Sequence, residues 1–210
     1  MFISKLINIF SIYANKNKNI IVIARKYFER NYKWGFLLIR KAVKADVDRV
    51  NAVYEELLCY EERHGAYTVW KSGVYPTKNI IEQAIQAGVL YVLEENDSIV
   101  ASVLLDQIQP EAYQQICWSC SVKPKEIMVI HLLCVRPSKA RCGYGKRMIQ
   151  FAIGEAAQRG CKTVRLDTGV QNIPATSLYT KMGFRLVGVS PIAIGEIIPC
   201  NNHLFLEYVL

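Results

Sequence analysis

The sequence contains no uninterrupted apolar run near the roughly 20 residues that a membrane-spanning helix needs. Residues 1–10 and 20–23 are apolar, but Asn15, Lys16, Asn17, Lys18 and Asn19 separate them. A secretory leader requires a charged start, an apolar stretch and small residues at a cleavage point. Here Lys5 sits inside the apolar stretch, and residues 11–14 (Ser-Ile-Tyr-Ala) match a cleavage point poorly. Membrane association is therefore not expected, and a cytoplasmic location is. Internal repeats and low-complexity linkers are missing as well. So is a disulfide framework: the seven cysteines, at 59, 117, 120, 134, 142, 161 and 200, are odd in number and scattered. That pattern fits a reducing compartment.

An excess of one charge is also missing from most of the chain. The net charge is +8, but in residues 1–36 seven basic side chains against Glu29 give +6, which leaves +2 for the other 174 residues. The lysines of that segment are not interleaved with closely spaced stacking aromatics; Tyr13, Tyr27 and Tyr32 are far apart. Nucleic-acid binding is therefore not expected. The division read from the sequence is a basic N-terminal extension, 1–36, whose structure the pattern does not specify, and one domain over 37–210.

What remains is a chain with the apolar content of a globular domain, 51% hydrophobic against 21% charged. Residues 36–41 read as a first strand. Val47, Val50, Val53, Leu57 and Leu58 fall at helical spacing, closed by Gly65. Thr77 is placed to cap a second helix that carries Ile80, Ile81, Ala84 and Ile85 on one face and stops at Gly88. Strands are expected over 89–93 and 98–105, with a turn between them. Residues 109–124 are irregular. The nearly continuous apolar run 127–136 predicts a strand buried on both faces. A helix over 143–158, a strand over 163–167, a short helix over 174–182 and two late strands near 184–189 and 204–209 complete an α/β (α+β) domain.

The first feature with chemical content follows the buried strand. Pro137 ends it, and a glycine turn, Arg141-Cys142-Gly143-Tyr144-Gly145-Lys146, opens the next helix. Glycine lets backbone approach a ligand without a Cβ in the way. A helix start presents unpaired N–H groups and the positive end of a dipole, so it suits an anion such as a pyrophosphate. Arg141, Lys146 and Arg147 add positive charge. The P-loop spacing is absent, and the third glycine of a dinucleotide fingerprint is absent too. A turn selected only for a tight strand-to-helix connection is the other reading.

A second constellation lies downstream: Asn172, Ala175 three residues on, Tyr179 seven on, then Gly183-Phe184. Taken in order with the first motif, it resembles the GNAT superfamily of N-acetyltransferases, over about 37–210 and most specifically over 127–187. The resemblance implies a mixed central sheet of about seven strands, flanked by about four helices, in which two parallel strands splay apart. The arm of acetyl-CoA would enter that gap and pair with backbone groups of Leu133, Cys134 and Val135. Its pyrophosphate would rest on the amides of 141–146, and Asn172 would contact the arm. Tyr179 would protonate the departing thiolate; its other reading is a core aromatic. The chain departs from the family pattern at Ala140, where arginine or glutamine is usual, and at Arg141, often glycine. Arg141, Lys139 or Lys146 would then supply the charge.

An attacking amine must be neutral, although amines are mostly protonated near pH 7. His131 stands where many family members carry a glutamate, and an imidazole there could accept the proton. A core histidine bonded to a neighbouring element is the alternative, and the sequence leaves the two open. Glu61, Glu62 and His64 are weaker candidates for binding a cationic acceptor. The pairs Cys117/Cys120 and Cys200/His203 are far apart, so no metal is expected. The expected activity is direct acetyl transfer from acetyl-CoA, as co-substrate, to a small-molecule amine. Acetylation of a protein N-terminus or lysine, and a non-catalytic acyl-CoA sensor, are the alternatives. A homodimer stays open.

Overall fold

The computed structural model describes residues 37–210; the basic extension 1–36 lies outside the described residues. The turn Asn96-Asp97 sets the first hairpin. Both residues take left-handed backbone angles, φ 47° and 65°, which Asn and Asp tolerate better than most side chains. Two such residues match the twist of the flanking strands, β2 (Leu90–Glu95) and β3 (Ser98–Asp106). Together with β1 (Leu37–Lys41), β4 (Ile127–Val135), β5 (Thr163–Gly169), β6 (Arg185–Ile194) and β7 (Ile198–Val209) they form one seven-stranded sheet, ordered β1-β2-β3-β4-β5-β7-β6. Every neighbouring pair is antiparallel except β4 and β5, which run parallel. Parallel neighbours need a long crossover, and helix α3 (Tyr144–Gln158) supplies it.

Alternation along the strands sends successive side chains to opposite faces. On one face, helices α1 (Val47–His64) and α2 (Lys78–Gln86) bury Val50, Val53, Tyr54 and Ile81 against Val92, Leu132 and Cys134. On the other, α3 and α4 (Ile173–Lys181) bury Met148, Ile149, Ala152 and Tyr179 against Leu93, Val103, Met128 and Ile130. The expected cap of α2 is present, with Thr77 Oγ1 accepting the Ile80 amide at 3.4 Å. Among the described residues no helix is long and apolar enough to cross a membrane.

Two differences from the sequence reading stand out. Strands β6 and β7 are much longer than the apolar pattern indicated, and they meet in a turn containing Gly195 and Glu196. Pro191 and Pro199 interrupt that pattern. β6 is an edge strand, and residues 198–202 extend past β5, whose pairing with β7 begins at His203. A proline costs little where one side of the ladder has no partner. The second difference is the irregular stretch 109–124, which is tethered. Arg165 and Glu207 form an ion pair at 3.0 Å with side chains 5% and 0% exposed. Arg165 also donates to Gln109 Oε1 (2.8 Å) and the Cys120 carbonyl (2.9 Å), and stacks on Trp118. Glu207 accepts the Ser119 amide at 2.9 Å. A local sequence window holds none of these partners together.

Candidate active site

The parallel pair opens into a gap. β4 and β5 pair only at Ile127–Thr163, Met128–Val164 and Val129–Arg165. Beyond Val129 no ladder joins residues 130–135 to β5, so this edge of β4 is open alongside Leu133, Cys134 and Val135. β4 also carries a bulge at that point. Its register with β3 shifts between Ser102 and Leu104, and Leu132 takes φ 51°, a costly angle for a branched side chain. A buried hydrogen-bond chain holds it: Ser102 Oγ donates to Tyr54 Oη, which donates to the Leu132 carbonyl, each at 3.0 Å. The Cys134 side chain is buried on the α1 side of the sheet, away from the gap. Burial pushes its thiol well above the ordinary value, which suits a packing residue.

At the far end of β4 the chain turns into α3. Among the described residues no acceptor meets the amides of 141–146, and α3 has neither a side-chain cap nor an acid in its first turn. That leaves a cluster of donors at a positive dipole end. Arg141 takes φ 61° and Gly143 φ 80°, so arginine occupies a left-handed position where relatives often use glycine. Arg141, Cys142 and Lys146 are exposed. Lys139, one of the residues offered as a substitute for the missing Ala140 charge, is instead paired with Glu95 at 2.7 Å. The Tyr144 hydroxyl also donates to Glu95, which anchors the turn to β2. At Gly145 a Cβ would lie 2.8 Å from Leu178 Cδ2, so this glycine lets α3 pack closely against α4.

The gap leads into a cavity of about 140 Å³. His131, Leu133, Asn172 and Tyr179 all line it; the first two come from β4 and the others from α4 and its cap. Asn172 caps α4, with Oδ1 accepting the Ala175 amide at 3.3 Å; its side-chain NH₂ group has no partner among the described residues. The Tyr179 hydroxyl likewise has no protein partner among the described residues. Burial, reinforced by Asp167, pushes that phenol well above its usual value, so it stays protonated near neutral pH.

His131 contacts two acceptors through one nitrogen. Nε2 lies 3.1 Å from the Ile108 carbonyl and 3.3 Å from Asp106 Oδ1. Both are acceptors, so Nε2 carries the proton and Nδ1 is the basic nitrogen of the neutral ring. Burial favours the neutral ring, but Asp106, Asp167 and the Ile108 carbonyl outweigh it and raise the imidazole above its ordinary value. The histidine is thus bonded to the segment 106–108 and also lines the cavity.

One cavity residue went unnoticed in the sequence. Asp167 is the one half-buried position of the otherwise buried strand β5, and an acid within such a buried strand was the available signal. Its Oδ1 accepts from Tyr113 Oη at 2.8 Å, and His203 Nε2 lies 3.2 Å from Oδ2. The Glu61 expectation needs correction. Glu61 is buried beneath the loop after α1, where its oxygens accept the Tyr67 amide (3.1 Å), the Thr68 amide (2.9 Å) and Thr68 Oγ1 (2.7 Å). It builds the cavity wall at Thr68–Trp70 rather than facing a ligand. Glu62 and His64 are exposed and do not line the cavity. His203 sits within β7, not at its start, with Nδ1 3.1 Å from Cys200 Sγ. Among the described residues no three metal-binding side chains are grouped.

A family model described as the acetyltransferase (GNAT) family matches residues 50–184. The uncharacterised N-acetyltransferase YvbK of Bacillus subtilis is 25% identical over 114 residues, which cover 54% of this chain and 64% of that protein. The chain therefore spans just under two thirds of that relative. A GNAT family acetyltransferase structure from Streptococcus agalactiae superposes with a TM-score of 0.70 at 18% identity, covering 86% of this chain and 99% of that one. An acetyltransferase from Salmonella typhimurium, solved with its cofactor acetyl-CoA, gives 0.59 at 19% identity, covering 83% and 94%. At such identities these two likenesses are ones of fold.

Proposed function

The chain belongs to the GNAT acetyltransferase family, and from that premise we propose that it transfers acetyl directly from acetyl-CoA to the amine of a small molecule. The observation that carries this reading is the order of features along β4. Unpaired amides stand at the start of α3, β4 has no β5 partner beyond Val129, and the cavity beside Leu133 holds both a histidine and a protonated phenol. The coenzyme supplies an acyl thioester there. The amides of 141–146, with Arg141 and Lys146, hold its pyrophosphate, and Asn172 steadies its arm. The backbone groups of Leu133–Val135 that face the side without a β5 partner orient the arm and offer N–H to the thioester oxygen as charge develops. Nδ1 of His131 takes a proton from the incoming ammonium, directly or through water. The Tyr179 hydroxyl hands a proton to the departing sulfur. No acyl-enzyme is needed, and Cys134 is turned away.

A small acceptor is favoured by the far wall of the cavity. The Tyr75 ring packs onto Gly195 so closely that a Cβ there would overlap it. This contact joins the loop after α1 to the β6–β7 turn across the acceptor side, which suits a compact amine better than an extended peptide. The test is thiol release on mixing the protein with acetyl-CoA and panels of small amines and peptides. Release with small amines and none with peptides is expected; the reverse order would overturn the acceptor assignment. Tyr179→Phe should lower kcat by about 10²-fold while leaving acetyl-CoA affinity nearly intact. Unchanged kcat across the pH range would remove Tyr179 as the acid.

A further inference from the structure

The cavity wall is chemically lopsided. Among the described residues its lining contains one carboxylate, Asp167, and no lysine or arginine. Arg165, a cation of the same strand, is fully engaged by Glu207, Gln109 and the Cys120 carbonyl. Asp167 is held rather than free to swing away: Tyr113 donates to one oxygen, and His203 meets the other from a β7 position facing β5. Its side chain is nevertheless 13% exposed, and each carboxylate oxygen accepts more than one hydrogen bond. The field of this carboxylate reaches the aromatic and imidazole groups around it. With burial, it raises Tyr75 to about 12, and it contributes to the upward shifts of Tyr113, Tyr179 and His131. The same lining includes Val69, Trp70 and Tyr75, which are apolar or aromatic.

We propose that Asp167 is the ammonium-binding group of the acceptor subsite, and that the subsite takes a primary amine on an apolar or aromatic body lacking any carboxylate or phosphate. This rests on the acetyl-transfer reading above and deepens it. Aromatic faces together with an anion attract an alkylammonium group. An acidic group on the acceptor would meet Asp167 with no lysine or arginine in the described lining to pair with it, and a buried unpaired charge is heavily disfavoured. Amino acids are therefore rejected and their decarboxylated counterparts accepted. The order of events follows from charge. The ammonium docks on Asp167, loses its proton to His131, and the neutral nitrogen then attacks.

The test compares 2-phenylethylamine with phenylalanine, two molecules that differ by one carboxylate. Binding of each to the full chain in the presence of coenzyme A is measured by calorimetry, and turnover of each by thiol release from acetyl-CoA. The amine is expected to bind about 10- to 100-fold more tightly than the amino acid, with kcat/KM in the same order. In Asp167→Asn the preference should shrink severalfold, mainly through weaker binding of the amine, while acetyl-CoA affinity is retained. Equal binding of the two molecules by the unaltered protein would overturn the proposal whatever the variant does. So would an unchanged preference in a folded Asp167→Asn protein. Selective binding of the amine without any turnover would uphold the subsite and sink the acetyl-transfer reading instead.

Discussion

At the scale of single residues, two side chains carry consequences that their neighbours decide. His131 becomes a stronger base because Asp106 holds its Nε2–H. A base works in its neutral form, so kcat/KM for an amine should fall as pH drops through the raised His131 value. In Asp106→Asn the raising influence is lost and burial counts for more, so the imidazole value drops. The acid limb of the pH profile should then move to lower pH, while the plateau declines because the base is weaker. A limb that stays in place would assign it to another group. Arg141 holds a left-handed angle that costs a non-glycine residue about 1–2 kcal/mol. Glycine relieves that strain but gives up about 0.5–1 kcal/mol of chain entropy. Arg141→Gly should therefore raise unfolding free energy by at most about 1.5 kcal/mol, yet weaken acetyl-CoA binding at low salt. Denaturant titration and calorimetry separate the two effects, and undiminished affinity would confine the phosphate contact to the amides.

At the scale of elements, the β4 bulge is the device that shapes the gap. It is set by a helix packed on the far side of the sheet. Tyr54 reaches through from α1 to the Leu132 carbonyl, with Ser102 behind it. Tyr54→Phe leaves a buried carbonyl and a buried hydroxyl without their partner. It should cost about 1–3 kcal/mol of stability and raise KM for acetyl-CoA as the bulge relaxes. Loss of stability with KM unchanged would mean that the bulge holds without the tyrosine. The β6–β7 hairpin acts in the same way on the acceptor side, where Gly195 makes room for Tyr75. Neither partnership has a local pattern. Tyr54 reads as one more apolar position of an amphipathic helix, and Gly195 as an ordinary turn residue.

At the scale of the whole molecule, the Arg165–Glu207 pair ties the irregular segment 109–124 to the centre of the sheet beneath the acceptor cavity. Removing one partner strands the other charge in the interior. Arg165→Met should therefore destabilise the protein by about 3–5 kcal/mol, read from chemical denaturation. A cost below about 1 kcal/mol would show that the pair is solvated. The sequence by itself determined the order of strands and helices, the buried β4 run, the glycine turn at a helix start and the Asn172–Tyr179 spacing. Each of these is written in local periodicity or in residues a few positions apart, where backbone sterics and hydrogen-bond geometry act. Only the tertiary structure decided which side chains share the cavity. It joined His131 to Asp106, put Asp167 between Tyr113 and His203, turned Glu61 under a loop, paired Lys139 with Glu95 and set Gly145 against Leu178. Such contacts depend on how distant segments pack, and burial and charge act through space rather than along the chain.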